Sequence, residues 1–113
     1  SLGLEWETLR EPSAQWLLLH GFGFPPGYNH QSGSAAIQIP ANYPVAALDM
    51  VYFFPHLARI DQQPLRQTEA RMAIDGKDWQ RWSRHYPWVP GQHNLGTHIV
   101  LVRRWLDHGL GKN

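Results

Sequence analysis

With 113 residues, and ten Lys and Arg against nine Asp and Glu, the chain carries a net charge of +1. That field is too weak to argue for nucleic acid or an anionic membrane surface. No cysteine is present, which removes disulfides, thiolate metal sites and a cysteine nucleophile. The length suits one domain, residues 1–113, around a single core. No apolar run approaches the roughly 20 residues of a membrane span and no signal peptide opens the chain, so a cytoplasmic protein is expected. Six Trp, four Tyr and four Phe supply much of the apolar volume, while nine Pro and ten Gly predict many turns and few long elements.

Residues Ser1 to Pro12 are polar around Leu4, Trp6 and Leu9, and fit either a helical turn or an irregular lead-in. Gln15 to Phe22 is a compact apolar run closed by Gly and Pro, too short for a helix and without caps, so a buried strand is predicted. Phe24 to Gly33 has turn chemistry, followed by a strand over Ala35–Pro40, a turn at Ala41–Pro44, and a third strand over Ala47–Phe54 stopped by Pro55. Short links between consecutive strands predict an antiparallel meander. His56 to Lys77 is polar and aperiodic, a long surface loop with room for one strand at Ala70–Ile74; loops of that length are usually functional. Near the C-terminus, Asn94 is a plausible N-cap and Leu95, Ile99, Val102 and Leu106 fall on one helical face. Arg103, Arg104 and His108 load the C-terminal end and Gly109 suits C′. The expected fold is α+β: a meander with a C-terminal helix packed on one sheet face.

Between the polar loop and the helix lies Trp79-Gln80-Arg81-Trp82-Ser83-Arg84-His85-Tyr86-Pro87-Trp88, where Trp79, Trp82 and Trp88 frame a hydroxyl and an imidazole two positions apart. In an extended segment, residues i and i+2 project to the same side, so His85 can reach Ser83. A serine needs such a base to act as a nucleophile, and Arg84 or Arg81 can hold a carboxylate or steady an oxyanion. The bland alternative is a hydrogen-bonded loop. Other motifs carry less. The glycines of His20–Gly27 lack the Lys-Ser/Thr ending of a phosphate loop, and the prolines remove N–H donors, so a structural turn is expected. Of the seven His, the near pair His93 and His98 is five apart, off the ligand spacing of one helix face, so no metal is expected.

The order of these features resembles the ubiquitin-conjugating-enzyme (UBC) superfamily, in its bacterial branch labelled prokaryotic family E. His20–His30 is similar to the family's first Gly-Pro turn. Ile37-Gln38-Ile39-Pro40-Ala41-Asn42-Tyr43-Pro44 is similar to its strand and Tyr-Pro turn, and Met50–Pro55 to the next strand. Trp82-Ser83-Arg84-His85, Trp88-Val89-Pro90 and the helix from Leu95 resemble its C-terminal signature. The resemblance implies a UBC-like meander with a long active-site loop and a C-terminal helix, partnered by a ubiquitin-like modifier and its adenylating activating enzyme. It implies no cofactor in this chain; ATP belongs to the activating enzyme.

Two departures from the family pattern matter. The thioester-forming cysteine is missing, and Pro55-His56-Leu57 is only a loose echo of the supporting His-Pro-Asn element. Three readings follow. Ser83 carries the modifier as an oxyester, with His85 as base and backbone N–H groups or Arg84 at the oxyanion. Alternatively, the chain is a non-catalytic variant that docks a ubiquitin-like protein or its activating enzyme. In the third, a cysteine has been replaced, either at Ser83 or near Asp78, which follows Gly76 at Gly-x-Cys spacing.

Overall fold

A computed structural model describes residues 5–12, 14–41, 48, 50–84 and 88–111. It is α+β, with β1 (Glu5–Glu11), β2 (Ala14–Gly23), β3 (Ser32–Ile39), β4 (Val51–Phe54), β5 (Arg71–Ile74), β6 (Lys77–Trp82) and α1 (Leu95–Gly109). One six-stranded sheet has the order β1-β2-β3-β4-β6-β5, and every pairing is antiparallel. The meander expected from the sequence runs through β2, β3 and β4. After β4 the chain leaves the sheet through residues 55–70 and returns on the far edge as β5. The Asp75-Gly76 turn, both residues at positive φ, then folds β6 back beside β4.

Alternation along the strands sorts the apolar side chains onto two faces. Leu17, Leu19, Ala35, Ile37, Val51, Phe53 and Trp82 face α1 and meet Val102, Trp105 and Leu106. Trp16, Leu18, Ala36, Tyr52, Ile74 and Trp79 form a second cluster on the opposite face. The helix begins as expected at Asn94, whose Oδ1 accepts from Thr97 N at 3.1 Å while Thr97 Oγ1 accepts from Asn94 N at 2.9 Å, a reciprocal capping box. Its buried face is broader than the four aliphatics alone, because it includes His98 and Trp105.

The fold departs from the sequence expectations at four places. The N-terminal stretch is an edge strand, β1, rather than a helical turn or lead-in; its hairpin partner β2 supplies the hydrogen bonds, and its exposed acids suit an unpaired edge. The third strand begins only at Val51, because Met50 adopts φ 60, outside strand geometry; positions 47 and 49 of that prediction, and positions 42–44 of the predicted turn before it, lie outside the described residues. Trp79 to Trp82 is not loop but β6, with its two tryptophans on opposite faces. Gly109 is the last helical residue rather than C′; Leu110 caps the helix and Gly111 takes the positive φ of 80°. A Cβ on Gly109 would run into the Tyr28 hydroxyl, so close packing selects glycine there. Among the described residues, no helix is long and apolar enough to cross a membrane.

Candidate functional site

The end of β6 is held from both faces. Trp79 Nε1 donates to Ile74 O at 3.0 Å in one cluster, and Trp82 Nε1 donates to Gln80 Oε1 at 2.9 Å in the other. Gln80 is itself buried. Its side chain accepts from Leu57 N at 2.9 Å and donates to Leu57 O at 3.0 Å, fixing the first residues of the 55–70 crossover against the strand. Where β6 stops, Ser83 N donates to Gln67 O at 2.9 Å and Arg84 O accepts from Met50 N at 3.2 Å. Ser83 and Arg84 therefore sit between two anchored backbones.

They line a cleft of about 400 Å³ together with Arg59, Arg66, His108 and Gly109. Ser83 is half-buried there. The Arg84 guanidinium lies over the Trp82 ring, 5.0 Å from its centroid, and its Nη1 donates to the carbonyls of Arg66 and Ser83, both at 3.0 Å. Burial lowers the Arg84 pKa, and the Arg66 charge acts in the same direction. Across the cleft, Arg59 pairs with Asp61 at 2.5 Å and donates through Nη1 to Gly109 O at 3.0 Å, where the helix presents the negative end of its dipole. The Tyr28 hydroxyl donates to Leu106 O one turn earlier; burial pushes its pKa well above the ordinary tyrosine value, keeping it a donor. Hydroxyl, guanidinium and imidazole groups thus share one concave surface at the C-terminal end of α1. Such a surface can seat a carbonyl or an anionic group.

Of the three residues singled out in the sequence, the structure brings Ser83 and Arg84 together, while His85 lies outside the described residues with positions 86 and 87. The imidazole described in the cleft is that of His108. Trp88 packs half-buried against the core and stacks tilted on His93, 5.6 Å between centroids. Asp78 is exposed on β6, away from the Ser83 cleft, with its carboxylate 3.5 Å from His56 Nε2 and 3.9 Å from Arg71 Nε. His98 is buried and donates from Nε2 to Met50 O at 2.8 Å, and His93 Nδ1 accepts from Val89 N at 2.8 Å. Both roles are structural. Among the described residues, no group of three or more His, Asp or Glu is placed to hold a metal ion.

Sequence reasoning missed Arg59 and Arg66, set in the polar stretch after β4, and His108, treated only as a helix-dipole cation. It also gave no chemical role to His20, which sits between Ser34 Oγ at 2.8 Å and Glu7 Oε1 at 2.9 Å. One signal was present: by alternation from Trp16 and Leu18, His20 belongs on the sheet face away from the helix.

Comparison with family models matches residues 1–109 to the family described as Prokaryotic E2 family E. Comparisons with curated proteins and with solved structures give no match.

Proposed function

Because the chain belongs to prokaryotic E2 family E, we propose that it is the carrier in a bacterial ubiquitin-like conjugation pathway, accepting the modifier from an adenylating activating enzyme in the cytoplasm. With no cysteine available, the acceptor is the Ser83 hydroxyl. The observation that carries this reading is the opening of Ser83 onto the arginine-lined cleft at the end of β6. In the proposed step, Ser83 Oγ attacks the carbonyl carbon of the modifier's C-terminal acyl adenylate. His85, two positions on, takes the hydroxyl proton, and AMP leaves. Arg84 keeps N–H donors beyond the Nη1 committed to the two carbonyls, and these meet the developing oxyanion. Trp79 and Trp82 hold the strand end by packing and take no chemical part. The product is an oxyester, less reactive toward amines than a thioester.

Ser83→Cys tests this directly. In a reconstituted reaction the wild-type adduct should survive thiol reductant, whereas the variant's adduct should become reductant-labile. If both chains stay unmodified, the carrier reading fails. A second reading, a non-catalytic module that docks the modifier or its activating enzyme, is favoured by the inward donation of Arg84 to backbone carbonyls. It predicts a stable complex without any covalent adduct.

A further inference from the structure

On the sheet face opposite α1, three polar side chains from three adjacent strands form a connected relay. His20 on β2 is the register partner of Ser34 on β3, and Glu7 on β1 reaches His20 diagonally from beside Leu18. His20 Nδ1 lies 2.8 Å from Ser34 Oγ, and Nε2 lies 2.9 Å from Glu7 Oε1. An ionised carboxylate only accepts hydrogen bonds, so Glu7 fixes the proton of neutral His20 on Nε2. That tautomer leaves the Nδ1 lone pair facing the Ser34 hydroxyl, the arrangement in which an imidazole can take a serine proton.

The surroundings favour access as well as order. A β-bulge follows His20, with Gly21 at φ 71°, and bulges of this kind re-aim a neighbouring side chain. Ser34 is half-buried, and the His20 side chain retains 36% of its exposure. Ser34 is also the register partner of Phe54, a half-buried ring with the Lys77 ammonium 5.5 Å from its centroid. The Phe54 ring, which also packs tilted against Trp79 at 5.6 Å between centroids, thus stands beside Ser34 on its β4 side, with the Lys77 cation over that ring.

We propose that Ser34, His20 and Glu7 form a second acyl-transfer site, separate from the Ser83 cleft, acting on carboxylic esters with an aromatic portion that rests on Phe54. Ser34 Oγ attacks the ester carbonyl carbon while its proton passes to His20 Nδ1. The bond to the leaving alcohol breaks, and that alcohol departs with the proton. Water then attacks the acyl-Ser34 ester, giving one proton to His20, which returns it to Ser34 as the acid is released. His20 is the base and Glu7 a positioning residue.

The test uses an aryl fluorophosphonate, which serine attacks with loss of fluoride, followed by peptide mass mapping on the full chain. Labelling is expected at Ser34, absent in Ser34→Ala, and slowed about 100-fold in His20→Gln, the scale of a lost general base. Glu7→Gln should slow it about tenfold and Glu7→Asp should restore most of the rate, a rescue that packing alone would not give. Circular dichroism melts of each variant separate a lost site from a lost fold. Hydrolysis of 4-nitrophenyl acetate should fall in parallel. No label at Ser34 in the folded wild type overturns the proposal. So does labelling that persists unchanged in His20→Gln, and so does a label confined to Ser83, which would leave the carrier reading standing.

Discussion

Replacing Gln80 by Leu keeps an apolar volume in place but strips three hydrogen bonds from one buried point. Leu57 N loses an acceptor, Leu57 O loses a donor, and Trp82 Nε1 loses the same Oε1 that served Leu57. Leu57, Gln80 and Trp82 are all buried, so water does not readily replace the missing partners. Each orphaned group costs about 1–3 kcal/mol, so the lower bound of the sum is about 3 kcal/mol. For a domain of this size that corresponds to a fall in Tm on the order of 10–15 °C. Urea denaturation monitored by tryptophan fluorescence reads the change, with Gln63→Leu at an exposed position as the control, expected within about 0.5 kcal/mol of wild type. The same variant loosens the start of the crossover that carries Arg59 and Arg66 into the cleft. A loss below about 1 kcal/mol would refute the claim that Gln80 fastens the crossover to β6.

Gly109→Ala should destabilise by about 1–3 kcal/mol in thermal melts, although alanine is the better helix former, because the added Cβ meets Tyr28, Leu65 and Trp82. Asn94→Ala should cost about 1 kcal/mol through loss of the capping box, measured by urea melts. The hydrogen bond from Arg59, then that from Gln63 N, holds the Asp61 carboxyl below its usual range. Its folded pKa therefore lies below the unfolded value, so it contributes stability above the unfolded pKa that disappears as pH falls through the folded one. Wild type and Asp61→Asn should accordingly differ most at neutral pH and converge on acidification, as read from Tm against pH.

The legible parts of the sequence were those in which one face of an element is buried. The α1 cap and its aliphatic stripe are written in Asn94, Leu95, Ile99, Val102 and Leu106. β2 and β3 show as short apolar runs between turn residues. β6 was hidden because both its faces are buried, which erases alternation and leaves two tryptophans three positions apart, a spacing that does not suggest a strand. β1 was hidden for the opposite reason: it is an exposed edge whose pairing comes from β2. The candidate site was half legible. Ser83 and Arg84 are neighbours in sequence, but Arg59, Arg66 and His108 reach them only through the crossover and the helix end, which no local pattern encodes. The same holds for Glu7, His20 and Ser34, joined solely by strand register.

Whether a serine carries the modifier is read by intact mass spectrometry after incubation with the modifier, its activating enzyme and ATP. A single modifier-sized adduct is expected that survives thiol reductant, is released by hydroxylamine, maps to Ser83 and vanishes in Ser83→Ala. An unmodified mass under conditions where the activating enzyme itself is charged would contradict it, as would an adduct mapped to any other residue.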